Sequence, residues 1–129
     1  MVKQQQIEQI WCLVVFYMCK QLKSLLRKIR MKIFRPIKTE DKLDIVLYSS
    51  SVKNPRALIF LVHGMGEHAK RYAHVAEYFK NVNIATIAID LRGHGNSEGQ
   101  RGHMPSFDHM MNDLKLALSE IDSVYKGLP

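Results

Sequence analysis

Two histidines and two glycines follow a run of apolar residues, and this segment is the part of the chain best suited to chemistry. Residues 58–62 are five β-compatible apolar residues, which predicts a strand buried on both faces, as in a parallel sheet. Gly64 and Gly66 follow it and lack a Cβ, so each can adopt a positive φ or allow close approach of another backbone. The N–H of Met65 between them could then face negative charge developing on a substrate oxygen. An ordinary strand-to-helix turn explains the same glycines, and both interpretations stay open.

A second glycine-rich segment, residues 90–99, contains the pattern G-x-S-x-G, which marks the nucleophilic serine of many hydrolases. Such a serine needs a sharp turn directly between a strand and a helix, so that its hydroxyl is exposed and the helix N-terminus assists the oxyanion. Here the strand-like residues 84–89 end well before Ser97, and Gly99, Gly102 and Pro105 intervene before helical periodicity resumes. The sequence therefore predicts that Ser97 is not a nucleophile.

The six histidines raise the question of a metal site. Four of them are expected in loops near the carboxyl edge of the sheet: His63, His68, His94 and His103. No pair has the i, i+4 spacing of ligands on a helix within a metal motif. We therefore expect no metal and no cofactor, and we expect these histidines to form hydrogen bonds with loop backbone. His63 in particular is expected to orient the turn that presents Met65.

The elements that must position these residues are predicted by periodicity. Residues 33–34 and 43–48 predict an antiparallel hairpin at the sheet edge, around the polar turn 39–42. Residues 57–62 and 84–89 predict two parallel strands, and the apolar residues at helical spacing between them predict a helix. A long helix follows, with Ser106 as its N-cap and Asp108 in its first turn. This order of elements predicts an α/β fold.

The segments at residues 63–72 and 90–108 together resemble the α/β-hydrolases, specifically the monoacylglycerol lipase and lysophospholipase group, which is also grouped with serine aminopeptidase S33-like proteins. Both segments occur in the order and spacing of that family, and the resemblance extends from about Phe34 to Pro129. It implies a partial α/β-hydrolase fold, in which the hairpin leads into a parallel sheet with flanking helices. It also implies hydrolysis of a carboxylic ester of a lipid by a serine hydrolase. In that family the residue after His-Gly supplies a backbone N–H to the oxyanion hole, and that residue is Met65 here.

The same resemblance assigns the remaining residues of both segments. His63, Gly64 and Gly66 support the turn, and a structural loop contains Asp90, Gly93, His94, Gly95 and Ser97. The catalytic serine, acid and histidine come later in the chain order of α/β-hydrolases, so the triad is expected beyond Pro129. No catalytic residue is assigned within this chain, and the chain alone is expected to be inactive. The alternative is a truncated, non-catalytic family member that binds lipid or a protein partner.

The positive charge of the chain is concentrated in its first part. Residues 1–38 hold nine Lys or Arg and one acidic residue, whereas residues 39–129 hold ten basic and eleven acidic residues. Leu22, Leu25, Leu26, Ile29 and Ile33 recur at helical spacing among these basic residues, which predicts a basic amphipathic helix. Ten apolar residues precede it, about half of what a membrane-spanning helix requires. We therefore divide the chain into a leader, residues 1–32, and a hydrolase-like part, residues 33–129.

Residues 10–35 suit an interface with anionic lipid better than nucleic acid, for which no recognised binding motif is present. The expected localisation is membrane-associated, through a peripheral or short anchor, or cytoplasmic. Three alternatives for the leader stay open: a signal peptide, a helix packed on the rest of the protein, and a translation start at Met31. Cys12 and Cys19 lie seven residues apart, which on a helix is about 10 Å and too far for a disulfide. The sequence does not determine the oligomeric state.

Overall fold

The computed structural model describes residues 31–129, which form one four-stranded mixed sheet and the helices that flank it. The strands are β1 (Lys32–Lys38), β2 (Asp44–Ser49), β3 (Ala57–Val62) and β4 (Ile84–Ile89). A one-turn 3-10 helix (Ala69–Tyr72) leads into α1 (Ala73–Asn81), and α2 is the long helix Phe107–Val124. The strand order is β1-β2-β4-β3. This arrangement confirms the predicted α/β class and the partial α/β-hydrolase fold.

Strands β1 and β2 form the predicted antiparallel hairpin at one edge of the sheet. The turn closes because the Thr39 N–H donates to the Leu43 carbonyl at 3.0 Å and the Thr39 hydroxyl accepts the Leu43 N–H at 3.0 Å. Strand β1 is longer than residues 33–34, and Ile33 pairs with Tyr48 in the ladder. Ile33 fits both the helical spacing of the leader and the predicted first strand, and it lies in β1, which begins at Lys32. Hydrogen bonding to β2 makes this segment a strand although its apolar residues recur at helical spacing. The Ile33 side chain is 63% exposed.

Strands β3 and β4 are parallel and in register from Ala57 opposite Ile84 to Val62 opposite Ile89. Their bounds match the predicted ones. The prediction that β3 is buried on both faces is wrong: its residues are half-buried, and Val62 is 41% exposed. The reason is its position, since β4 lies between β2 and β3 and leaves β3 at the edge of the described sheet. Beyond that edge, the Pro129 carbonyl accepts the Leu58 N–H at 2.9 Å.

The two helices pack on opposite faces of the sheet. Alternate side chains of a strand point to opposite faces, and in β4 Ile87 and Ile89 join Ala117 and Ile121 of α2, whereas Ala88 belongs to the cluster that includes Ala76 of α1. The predicted N-cap of α2 is confirmed, because the Ser106 hydroxyl accepts the His109 N–H at 3.3 Å. This packing fixes the carboxyl ends of β3 and β4 side by side.

The predicted leader, apart from Met31 and Lys32, and most of the predicted membrane-binding residues 10–35 lie outside the described residues. Within residues 31–129, neither helix has the length and hydropathy that crossing a bilayer requires.

Candidate active site

The segment that follows β3, residues 63–68 and here called the β3 turn, presents Met65 to solvent. Met65 is 67% exposed, and its backbone N–H donates no hydrogen bond within residues 31–129. Gly66 adopts a φ of +74°, which an L side chain disfavours, whereas Gly64 does not have a positive φ. A Cβ at either glycine would meet no atom within 4 Å. Of the two roles predicted for the glycines, positive φ therefore applies to Gly66, and neither role applies to Gly64.

His63 lies beneath this turn, only 3% exposed, and both of its ring nitrogens are used. Nε2 accepts the backbone N–H of Leu91 at 3.0 Å, and Nδ1 lies 2.7 Å from the Gly64 carbonyl oxygen. Because Nε2 faces a donor and Nδ1 faces an acceptor, the ring is assigned as the neutral tautomer with its proton on Nδ1. This geometry supports the prediction that His63 orients the turn.

Asp90 ends β4 and accepts hydrogen bonds from three separate parts of the fold. Its Oδ1 accepts the Ala69 N–H at 2.7 Å, and its Oδ2 accepts the Asn96 N–H at 2.8 Å and the Tyr48 hydroxyl at 3.1 Å. Asp90 is almost fully buried, so three donors are what a carboxylate there needs. Burial, together with the Asp90 charge and hydrogen bond, raises the pKa of Tyr48 to about 12.

Ser97 is buried in the segment after β4, residues 90–102, here called the β4 loop. Its hydroxyl donates to the Asp90 carbonyl at 2.5 Å and accepts the Val46 N–H at 2.8 Å. A nucleophile needs an exposed hydroxyl next to a base, and Ser97 has two backbone partners instead. This geometry supports the prediction that Ser97 belongs to a structural loop.

Two glycines of the β4 loop are required by the space around them. Gly93 and Gly95 have φ values of +71° and +52°. A Cβ at Gly93 would lie 2.3 Å from the Gln100 carbonyl oxygen, and one at Gly95 would lie 2.1 Å from Oδ2 of Asp90. Both distances are far below van der Waals contact, so Gly93 lets the loop pack against its own backbone and Gly95 lets it approach the Asp90 carboxylate.

Sequence reasoning missed Arg92, which ties the β4 loop to α2 and to the hairpin. Its guanidinium donates to both carboxylate oxygens of Asp113, at 2.7 and 2.8 Å, and to both of Asp41, at 2.9 and 3.3 Å. Arg92 and Asp113 are buried, whereas Asp41 is half-exposed. The Arg92 hydrogen bond, followed by that of Thr39, lowers the pKa of Asp41 to about 2, and the two carboxylates raise the pKa of Arg92. The available signal was Asp113 itself, a carboxylate on the apolar face of α2 between Met110 and Ala117.

His94 is also buried, and its ring centroid lies 5.3 Å from that of His63. Its Nδ1 lies 2.9 Å from the Arg92 carbonyl oxygen, and its Nε2 has no partner within residues 31–129. Among these residues no group of three or more His, Cys, Asp or Glu side chains could hold a metal ion. The absence of a metal or cofactor stays a prediction.

An open cleft of about 630 Å³ separates the β3 turn from the β4 loop. Its lining includes Met65, Glu67, His68, Lys70, Asn96 and Arg101. Met65 therefore lies where a molecule entering the cleft could reach its N–H. The described residues supply this donor, but they do not place a serine, a histidine and a carboxylate together at it.

The family model for serine aminopeptidase, S33 matches residues 53–129. Human monoglyceride lipase is 35% identical over 82 residues, which are 64% of this chain and 27% of that protein. Protein K6 of vaccinia virus (strain Western Reserve) is 34% identical over 61 residues, 47% of this chain and 75% of that protein. A soluble variant of monoglyceride lipase from Saccharomyces cerevisiae, solved with a substrate analogue, shares the fold with a TM-score of 0.64 at 21% identity. That match covers 78% of this chain and 34% of the yeast chain.

The chain spans about a quarter of the length of the human lipase and about a third of the yeast lipase. The yeast likeness concerns the fold, whereas the family match covers both the β3 turn and the β4 loop, the two segments on which the sequence resemblance depends. The motifs, the sheet topology and the family model therefore all indicate the same family. The chain belongs to the serine aminopeptidase S33 family of α/β-hydrolases and is similar to monoglyceride lipases.

Proposed function

We propose that this chain is the amino-terminal half of a serine hydrolase that cleaves carboxylic esters of lipids such as monoacylglycerols or lysophospholipids. The observation that carries the proposal is Met65, which is exposed three residues after the carboxyl end of a parallel strand and whose N–H has no acceptor within the described residues. Relatives with lipase activity in their names support the class of substrate.

In the proposed reaction a serine, activated by a histidine, attacks the ester carbonyl, and the Met65 N–H stabilises the negative charge on the carbonyl oxygen in the tetrahedral intermediate. His63, Gly64 and Gly66 hold the turn that presents this N–H. The removal of one such donor typically lowers turnover by about 10²- to 10³-fold. The serine, the histidine and the acid of the triad belong to residues beyond Pro129.

The exposed edge of β3 supports this placement of the missing nucleophile. The Pro129 carbonyl already accepts the Leu58 N–H at 2.9 Å, near the start of β3. A strand that continued from Pro129 parallel to β3 would reach the level of Val62 after roughly 13 Å, at about 3.3 Å per residue. Its carboxyl end would lie beside the β3 turn, which is where a nucleophile that follows a strand would meet the Met65 N–H.

The transcript beyond the codon for Pro129 tests this proposal. We expect it to encode an apolar strand followed by a G-x-S-x-G turn. An in-frame stop codon at that position would contradict the proposal of an enzyme and favour the non-catalytic alternative.

The chain of residues 1–129 is expected to hydrolyse no ester, because the nucleophile and its base are absent. The measurement is turnover of a short acyl ester and labelling by a fluorophosphonate probe for reactive serines. The variants Ser97→Ala and Ser106→Ala provide the control, because Ser106 also has a histidine nearby, with its Oγ 2.8 Å from Nδ1 of His109. Turnover that either substitution abolished would contradict the expectation and assign a nucleophile within this chain.

The alternative is a non-catalytic family member that binds lipid or a protein partner, and one comparison favours it. Because the 61 matched residues make up 75% of Protein K6, that relative is itself shorter than this chain. Short family members therefore exist alongside the full-length lipases. Binding of a monoacylglycerol to residues 1–129 without turnover, together with a stop codon after Pro129, would support this alternative.

We also propose that residues 10–35 hold the protein at an anionic membrane surface. Support comes from the excess of Lys and Arg in the first 38 residues. Binding to vesicles that contain phosphatidylserine should weaken as salt rises, since the Debye length shortens to about 10 Å at 0.1 M. Deletion of residues 1–35 should abolish the binding, and unchanged binding after the deletion would reject the proposal.

A further inference from the structure

The β3 turn is joined at both ends to two consecutive residues at the end of β4. At its start, Nε2 of His63 accepts the Leu91 N–H at 3.0 Å. Just after its end, the Ala69 N–H donates to Oδ1 of Asp90 at 2.7 Å. Between these two anchors the backbone closes one hydrogen bond of its own, from the Glu67 N–H to the Gly64 carbonyl at 3.2 Å. The Glu67 carboxylate also accepts a hydrogen bond from the Tyr72 hydroxyl, so the turn has contacts of its own, and the two anchors join it to the residues that follow β4.

Asp90 is suited to the second anchor because it is a buried carboxylate held from two other directions. The Tyr48 hydroxyl and the Asn96 N–H both donate to its Oδ2, which leaves Oδ1 aimed at Ala69. A neutral amide could not replace it, since an asparagine has one acceptor oxygen and would turn an NH₂ group toward a donor. The Asp90 carboxylate thus fixes where the chain leaves the β3 turn.

We infer that Asp90 is a positioning residue for the oxyanion-binding N–H of Met65, which it acts on through the Ala69 N–H. This inference rests on the proposed function for the role of Met65, whereas the anchor itself is a property of the fold. Asp90 touches no substrate in this scheme. It holds the end of the turn at a fixed distance from β4, as His63 holds the start, so that the Met65 N–H is oriented before a substrate arrives.

The test must separate positioning from a general contribution to folding. Asp90→Asn disrupts the anchor, because one of the two acceptor positions becomes an NH₂ group that faces a donor, and Ser97→Ala is the matched control. Ser97 lies in the same β4 loop and bonds to the Asp90 carbonyl and to β2, but it makes no hydrogen bond to the β3 turn. Both variants are expected to destabilise the fold, and only Asp90→Asn is expected to change the turn.

The measurement is amide hydrogen exchange and ¹⁵N relaxation of the full 129-residue chain. In Asp90→Asn the Ala69 amide should exchange about tenfold or more faster than in Ser97→Ala, and the order parameter of Met65 should fall below about 0.6. Equal exchange at Ala69 and equal order at Met65 in the two variants would overturn the inference.

A second variant covers the case in which Asp90→Asn does not fold. Ala69→Pro removes the donor and leaves Asp90 in place, and Ala69 is the first residue of the 3-10 helix, a position that accepts proline. His68 before it has extended backbone, with φ −161° and ψ 156°, as a residue before proline prefers. Faster motion at Met65 with unchanged amides in the β4 loop supports the inference, and an unchanged Met65 overturns it.

If the protein extended beyond Pro129 is a hydrolase, the same substitution gives a kinetic signature. Asp90→Asn should lower kcat about tenfold or more with KM unchanged, because the Met65 N–H acts on the transition state. Ser97→Ala should leave kcat unchanged while the protein is folded. An extended protein without hydrolase activity would refute the proposed function but leave the exchange experiment to decide the anchor.

Discussion

The β3 turn and the β4 loop share glycines and histidines, but the structure uses them in opposite ways. In the β4 loop Gly93 and Gly95 make room for packed atoms: a Cβ on Gly95 would lie 2.1 Å from a carboxylate oxygen. In the β3 turn a Cβ on Gly64 would meet nothing within 4 Å. This difference indicates that the β4 loop is a packed scaffold, whereas the β3 turn leaves its backbone accessible to a ligand.

The polar groups follow the same division. The β4 loop buries Arg92, His94 and Ser97, and bonds them to backbone or to carboxylates. The β3 turn buries His63 and exposes Met65. Hydrogen bonds and ion pairs hold these buried groups of the β4 loop, and Asp90 and Leu91 of the same loop bond to both ends of the β3 turn.

The largest effect on stability is expected at the ion pair that ties the β4 loop to α2. Asp113→Asn removes the charge that pairs with buried Arg92 and leaves Arg92 with the half-exposed Asp41. Breaking a buried pair from one side typically costs 3–5 kcal/mol, and the remaining partner places the expected loss at about 3 kcal/mol. Urea unfolding of the full chain measures it.

Asp108→Asn is the matched control, since Asp108 is exposed in the first turn of the same helix. Asp108→Asn should lower the free energy of unfolding by less than about 1 kcal/mol, the usual contribution of an acidic side chain near a helix N-terminus. If the two variants lost the same free energy of unfolding, the buried Arg92–Asp113 pair would stabilise the fold no more than an exposed carboxylate does.

The second effect compares one glycine from each segment. Gly95→Ala forces a Cβ into the Asp90 carboxylate at a φ of +52°, so overpacking and left-handed strain together should cost roughly 3 kcal/mol. Gly64→Ala has open space and no positive φ, so its free energy of unfolding should change by less than about 0.5 kcal/mol. Similar losses at the two positions would remove the distinction between scaffold and accessible turn.

The sequence predicted the strands and helices, because these depend on local residues. Five apolar residues before a glycine fix the end of β3, and Ser106 marks the start of α2. It did not predict the partial exposure of β3, since burial depends on which strand lies alongside. It also missed the Arg92–Asp113 pair, whose members lie 21 residues apart and meet only because α2 packs beneath the β4 loop.

The third prediction concerns alkaline pH and the phenol that holds Asp90. The folded-state pKa of Tyr48 is raised to about 12, from its ordinary value of 10.0, so the stability from its protonated hydroxyl is complete below pH 10. It is lost as the pH rises from 10 to 12. Tyr48→Phe should therefore cost about 1.5 kcal/mol at pH 8, typical of a hydrogen bond to a charged group, and progressively less above pH 10.

Unfolding free energies of the wild type and of Tyr48→Phe at pH 8 and pH 11 provide the measurement. Tyr78→Phe is the control, because Tyr78 is 67% exposed and lies on α1, away from Asp90. If Tyr48→Phe cost the same free energy of unfolding at both pH values, the stability that the Tyr48 hydroxyl contributes would not depend on its protonation.

The smallest effect is expected at Asp41, where the β4 loop reaches the half-exposed edge of the hairpin. Hydrogen bonds from Arg92 and then Thr39 lower the folded-state pKa of Asp41 to about 2, below its ordinary value of 3.8. The stability from this carboxylate is therefore complete above pH 4 and is lost as the pH falls toward 2. Because solvent screens a side chain that is 47% exposed, Asp41→Asn should cost less than about 1 kcal/mol at pH 7. That cost should disappear near pH 2, and a cost comparable with that of Asp113→Asn would mean that Arg92 depends on its exposed partner as much as on its buried one.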